Sequence, residues 1–151
     1  MANGTTTYSF KDLTGAFYSP LTGPFILAGG TLGSGKITVE MTHEWTEHDP
    51  AVDGAVMVSA SVAQNGTVLV DCQQTSAING YLKATQNAHQ TDLINGNSSQ
   101  WAASALDLQN PVTGDMNICT GVSFSKKPPQ PYGAKGEYIQ WKLMAANIAN
   151  Q

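Results

Sequence analysis

Between Ala55 and Ala88 the chain reads as strand, turn, strand and helix without interruption, and this run constrains the fold more than any other segment. Val56, Val58, Ala60 and Val62 alternate with Met57, Ser59, Ser61 and Ala63, the period of a strand with one face buried more deeply than the other. Asn65-Gly66 tolerates positive φ and predicts a tight hairpin, with Thr67, Leu69 and Asp71 alternating against Val68, Val70 and Cys72 on the return strand. Thr75 or Ser76 is placed to cap the helix that follows. Its packed side carries Ile78, Tyr81, Leu82 and Thr85, leaving Asn79, Lys83 and Gln86 towards water. Nothing in this unit has the look of chemistry; it is a scaffold.

The remaining segments are short and mostly strand-like. Thr5 to Asp12 and Ala16 to Ser19 read as strands packed through Tyr8, Phe10 and Phe17, and Phe25-Ile26-Leu27 resumes after Pro20 and Gly23-Pro24. Lys36 to Thr42 alternates Ile37, Val39 and Met41 with polar residues, a half-buried strand. Trp101 to Leu108 reads as a strand with a helix in competition because of its alanines, Met116 to Phe124 as a strand, and Glu137 to Ala146 as a strand with Ile139, Trp141 and Leu143 on one face. Lys126 to Gly136, KKPPQPYGAKG, is a stiff Pro/Gly-rich loop. No internal repeat or domain boundary is evident, so a single domain over residues 1–151 is expected. A chain of this length buries about 70% of its unfolded surface and needs no staples.

The composition is low in charge. Only 12% of residues are charged, about half the usual share, which fits a surface committed to neighbouring subunits or else a merely polar one. Seven Lys, no Arg and eleven acidic residues give a net charge of −4. Without arginine forks, sequence-specific nucleic-acid readout is not expected, whereas an acidic passage would keep a moving polyanion from sticking. No N-terminal signal pattern and no apolar run of about 20 residues is present, so a soluble protein made in the cytoplasm, without a membrane anchor, is expected. Cys72 and Cys119 are then expected to be reduced and buried, and the sequons at Asn3, Asn65 and Asn97 to carry no meaning.

Several motifs imitate catalytic ones. Gly30-Thr-Leu-Gly-Ser-Gly35-Lys36 nearly satisfies the P-loop formula, but Ile37 stands where a magnesium-binding hydroxyl is required and a strand follows instead of a helix. In HEWTEH, His43 and His48 are five residues apart, about 140° around a helix, where zinc ligands sit four apart on one face. No G-x-S-x-G elbow is present, and the carboxylate pairs Glu44 with Glu47 and Asp49 with Asp53 fall in a polar loop where solvated charge is the ordinary explanation. Neither a catalytic residue, a metal nor a cofactor is expected.

YSFKDL, GGTLGSGKITVEM, DGAVMVSASVAQNGTVLV and QQTSA, spread over roughly residues 7 to 85, resemble the tail tube proteins of contractile-tailed bacteriophages, which are similar to secretion-system tube subunits. The resemblance implies a mainly β (α+β) fold of two packed antiparallel sheets, as a sandwich or barrel, with one flanking helix near residues 75–89. It also implies a structural virion protein, assembled in the host cytoplasm, whose hexameric rings stack into the inner tube that conducts DNA during ejection. Its partners would be copies of itself, the tail sheath, the baseplate and the tail terminator, with viral DNA passing through the lumen without sequence-specific binding. Alternatives are a secretion-system tube or baseplate tube-initiating protein or, in a different class, a small β-barrel ligand-binding protein or hydrolase.

The segment from His43 to Gly54 is polar, contains Pro50, and lies between two strands expected to pair, so it reads as a long loop or extended hairpin tip. A projection of this size on a small domain is usually functional. Its residues His43, Glu44, Trp45, Thr46 and Glu47, continuing with His48, Asp49, Pro50 and Val52, are the expected contacts between subunits or between rings.

Overall fold

The computed structural model describes residues 4–29 and 32–150. Among the described residues nine strands and one α-helix follow in chain order: β1 (Thr14–Ser19), β2 (Gly23–Ala28), β3 (Ser34–Met41), β4 (Thr46–Pro50), β5 (Val56–Ala60), β6 (Gly66–Gln73), α1 (Ala77–Ile94), β7 (Ser104–Asn110), β8 (Asp115–Phe124) and β9 (Tyr138–Asn150). Seven strands form one curled antiparallel sheet in the order β2-β1-β7-β8-β9-β6-β3, and β4 and β5 form a separate two-stranded sheet. The mainly β fold with a single flanking helix is therefore as expected.

The core follows from alternation. On β9, Ile139, Trp141, Leu143 and Ala145 are buried while Tyr138, Gln140, Lys142 and Met144 face out, and β6 buries Val68, Val70 and Cys72 beside them. Trp141 is fully buried and stands edge-on to Phe124 at 5.8 Å between centroids. Phe124 in turn meets Phe17 at 6.0 Å, and Tyr81 of the helix stacks on Phe25 at 4.3 Å. With Phe17 also edge-on to Tyr81 at 6.1 Å, the chain of rings joins β9, β8, β1 and β2 to α1.

The helix begins at Ser76, whose hydroxyl accepts from Ile78 N at 3.1 Å and donates to the Leu32 carbonyl at 2.8 Å. It runs past residue 89 to Ile94. Two residues expected to face water, Asn79 and Gln86, are buried on its packed side. For Asn79 the cause is a polar demand from the sheet: the buried Trp141 Nε1–H needs an acceptor and finds Asn79 Oδ1 at 3.1 Å.

Three further expectations are corrected. Phe10–Asp12 is a turn of 3-10 helix capped by Ser9, so Thr5 to Asp12 is not a strand, and Tyr8 is exposed rather than packed. The strand at Val56–Ala60 does not pair with the strand after Asn65-Gly66. It pairs with Thr46–Pro50, while β6 lies between β3 and β9. Gly66 is consequently not a turn glycine: it opens β6 opposite Met41 and Ala145, where a Cβ would run into the Glu40 carbonyl and Ile148 Cδ1. The turn chemistry belongs to Asp53-Gly54 instead, with Gly54 at φ +91 and Asp53 Oδ1 accepting from Ala55 N at 3.1 Å.

Candidate assembly surface

The hairpin β4–β5 leaves the sheet at the β3/β6 end and carries its side chains on two open faces. The register pairs Thr46 with Ala60, Glu47 with Ser59, His48 with Val58, Asp49 with Met57 and Pro50 with Val56. Directly paired residues share a face. One face therefore presents Pro50, Val56, Val58, Ala60, Thr46 and His48, and the other presents Glu47, Asp49, Met57 and Ser59. All ten strand residues are exposed, with Val56, Met57 and Val58 each more than half accessible.

At its root the two legs are tied by Ser61 N donating to the Trp45 carbonyl at 2.9 Å and Trp45 Nε1 donating to the Ala63 carbonyl at 2.8 Å. Trp45 thereby lines an open groove of about 610 Å³ with Val39, Met41, Gln64, Asn117 and Ile148, between the hairpin root and the edge strand β3. At the tip, Ala51 N donates to the Ala55 carbonyl at 2.7 Å, and Val52 points into solvent. All nine residues expected to make contacts between subunits thus lie on one projection: His43, Glu44 and Trp45 at its root, Thr46 to Pro50 along β4, and Val52 at the tip. Sequence reasoning missed the second strand, Val56 to Ala60, as part of the same projection. The Asp53-Gly54 pair is the signal that would have found it.

The remaining imitations of chemistry resolve into structure. Gly30 and Thr31 of the P-loop-like run lie outside the described residues, and the residues after Lys36 continue β3, with no helix N-terminus to receive phosphate. Among the described residues no group of three His, Cys, Asp or Glu is placed to hold a metal ion, and no helix is long and apolar enough to cross a membrane. Cys72 and Cys119 are free and buried. Burial, reinforced by the nearby charges of Asp71 and Asp107 respectively, pushes each thiol up to about 11, so almost no thiolate exists at neutral pH.

One polar cluster does resemble a catalytic dyad. His89 Nε2 lies 2.8 Å from Ser19 Oγ and 3.5 Å from Ser104 Oγ, joining α1 to β1 and β7. Ser19 is wholly buried, and among the described residues no carboxylate is hydrogen-bonded to Nδ1 of His89, where a triad would place an orienting one. The cluster is a clamp on the helix. Burial among Phe124 and Trp101 lowers the His89 pKa below its ordinary value, against smaller opposing effects of Asp92 and the Gln100 backbone. The unfolded chain, with His89 near 6.5, then binds more protons than the native one once the pH falls below that value, so this histidine makes stability drop on acidification. Melting temperatures measured from pH 7.5 to 5 are expected to fall more steeply in the wild type than in His89→Gln. Parallel curves would show that His89 contributes nothing to the acid response.

The bacteriophage PhiTE tail tube protein family matches the chain over residues 5–151. The chain belongs to that family of phage tail tube proteins. The match reaches well beyond the segment that carries the sequence resemblance and includes β7 to β9 of the tube protein. No curated protein is similar to it in sequence. In fold it is similar to a chain in the cryo-EM structure of the anti-feeding prophage tube-terminating cap. The identity is 10% and the TM-score 0.53, covering 100% of this chain and 94% of that one. It is also similar to a chain in the sheath/tube terminator of an extracellular contractile injection system, PVC, in its extended state. Here the identity is 8% and the TM-score 0.52, covering 98% of this chain and 99% of that one. At such identities the likeness is one of fold. The family places this protein among the structural components of phage tails.

Proposed function

We propose that this chain is the repeating subunit of a tail tube, forming hexameric rings that stack into the conduit through which DNA leaves the virion. Family membership supports the tube role, and one observation in the structure supports assembly: the β4–β5 hairpin has alternating apolar positions but no surface of its own chain to bury them. A two-stranded sheet alone is at best marginally stable in water, and alternation of this kind ordinarily marks a covered face. The hairpin residues, from His43 and Glu44 to Val52, are the proposed contacts between rings. Among the described residues β3 is an end strand of the main sheet, and a strand of this kind loses its exposed edge when a ring closes on itself.

In this reading the whole of residues 1–151 acts as one domain, the sheath, baseplate and terminator are its other partners, assembly takes place in the host cytoplasm, and no chemical step is needed. Passage of DNA calls for a wall that does not grip phosphate, and a chain with no Arg and a net charge of −4 suits that need.

Electron microscopy of the purified protein, with its mass in solution, tests the proposal. Rings of about 95 kDa, six copies of a 15.9 kDa chain, or long tubes built from such rings are expected. Assemblies that stop after one or two rings would point to a tube-initiating or terminating role instead, and a persistent monomer would refute assembly altogether.

A further inference from the structure

The two ends of the sheet carry opposite charge. Strands β3, β6 and β9 lie side by side, with Met41, Gly66 and Ala145 level at one end and Ser34, Cys72 and Ile139 level at the other. The hairpin projects from the first end. The loop between β8 and β9 starts level with Lys142, whose carbonyl accepts from Ser125 N, and runs on to the second end, where the Pro131 carbonyl accepts from Gln74 Nε2 and Tyr138 pairs with Gln73. About 20 Å of strand separates the two ends, at roughly 3.3 Å per residue.

The hairpin and its root, residues 43–60, hold Glu44, Glu47, Asp49 and Asp53 and no lysine, four of the eleven acidic residues of the chain. The loop holds Lys126, Lys127 and Lys135, all exposed, and Lys83 of α1 is tied to it by a 3.2 Å hydrogen bond to Gln130. With Lys83 these are four of the seven lysines, so in a chain this poor in charge each projection takes a definite sign. The pattern is not perfect: Glu137 flanks the lysines. The apolar character also matches, since the face of the hairpin that carries Glu47 and Asp49 also presents the exposed Met57, and the loop presents Pro129 and the largely exposed Tyr132.

We infer that the acidic β4–β5 hairpin of one copy docks on the lysine- and proline-rich 126–136 loop of a second copy, head to tail. This deepens the proposed tube function and rests on it, because two different surfaces at opposite ends of a subunit generate a contact that repeats along an axis. Opposite charge sets the direction of stacking and speeds encounter, and Met57 on the same face supplies apolar burial.

Charge reversal tests the docking in the full-length protein. Glu47→Lys with Asp49→Lys reverses the hairpin, and Lys126→Glu with Lys127→Glu reverses the loop. All four residues are exposed, so circular dichroism and melting are expected to stay as in the wild type. Each double variant alone is expected to lose sedimentable tube by ~10-fold or more, because every copy then meets a like-charged neighbour. An equimolar mixture of the two is expected to polymerise again, as is the chain carrying all four changes. Wild-type tubes together with double variants that assemble normally, or with a folded quadruple variant that does not recover, overturn the docking and leave the tube reading standing. A wild type that forms neither rings nor tubes overturns both.

Discussion

A chain in which Thr46–Ala60 is replaced by Gly-Ser is expected to fold with wild-type stability and to form no tube. Every residue of β4 and β5 is exposed, and none belongs to the core cluster, so their removal costs no buried contact of the main sheet. The new junction closes easily because Trp45 and Ser61, on either side of the excised segment, already share a 2.9 Å hydrogen bond. The change in unfolding free energy is expected to stay within about 1 kcal/mol. Assembly behaves differently, since the excision takes away Pro50, Val56 and Val58 on one face and Glu47 and Asp49 on the other. Denaturant melts show whether the fold survives, and electron microscopy shows whether tubes do. Normal tubes from the shortened chain would remove the hairpin from the assembly surface.

The largest loss of stability is expected from Trp141→Ala, about 3–5 kcal/mol by the usual cost of truncating a buried aromatic residue. The indole is fully buried on β9, stands against Phe124, and donates to Asn79 of α1, so it joins the sheet to the helix. A loss of that size is a large part of the total stability of an ordinary domain, about 5–15 kcal/mol. Trp141→Phe separates the two contributions. It keeps most of the ring contact but leaves the buried Asn79 Oδ1 without its donor, at about 1–3 kcal/mol. Urea unfolding of the three proteins gives the ranking, and a Phe variant equal to the wild type would show that the Asn79 bond is not needed. Trp45→Ala is the exposed comparison and is expected to move stability far less.

Much of the fold was legible because it depends on neighbours in sequence. Ile37, Val39 and Met41 in β3, and Ile139, Trp141 and Leu143 in β9, alternate with polar residues, and the pleat alone puts them on one side. The helix and its Ser76 cap are local in the same sense, as is the polar projection around Pro50. Pairing is another matter. The alternating run from Val56 was compatible with either of two turns, Asp53-Gly54 or Asn65-Gly66, and a period of two does not say which strand lies opposite. The tertiary structure decided it. β6 is flanked on both sides by β3 and β9, Gly66 is consumed by close packing against Glu40 and Ile148, and β5 is left to pair with β4 away from the core.

The same division holds for the polar groups. Hydrophobic spacing on α1 identified Ile78, Leu82 and Thr85, but it placed Asn79 and Gln86 outside, since nothing along the helix announces that Trp141, 62 residues away, requires an acceptor. Ser19, His89 and Ser104 likewise meet only when β1, α1 and β7 are brought together. The sequence by itself determined the periodic elements, the low charge and the projection, because these follow from short-range geometry and composition. The partners of each strand, the polar bonds across the core and the opposite signs of the two ends were decided only by the fold, because they depend on residues that are distant in the chain and adjacent in space.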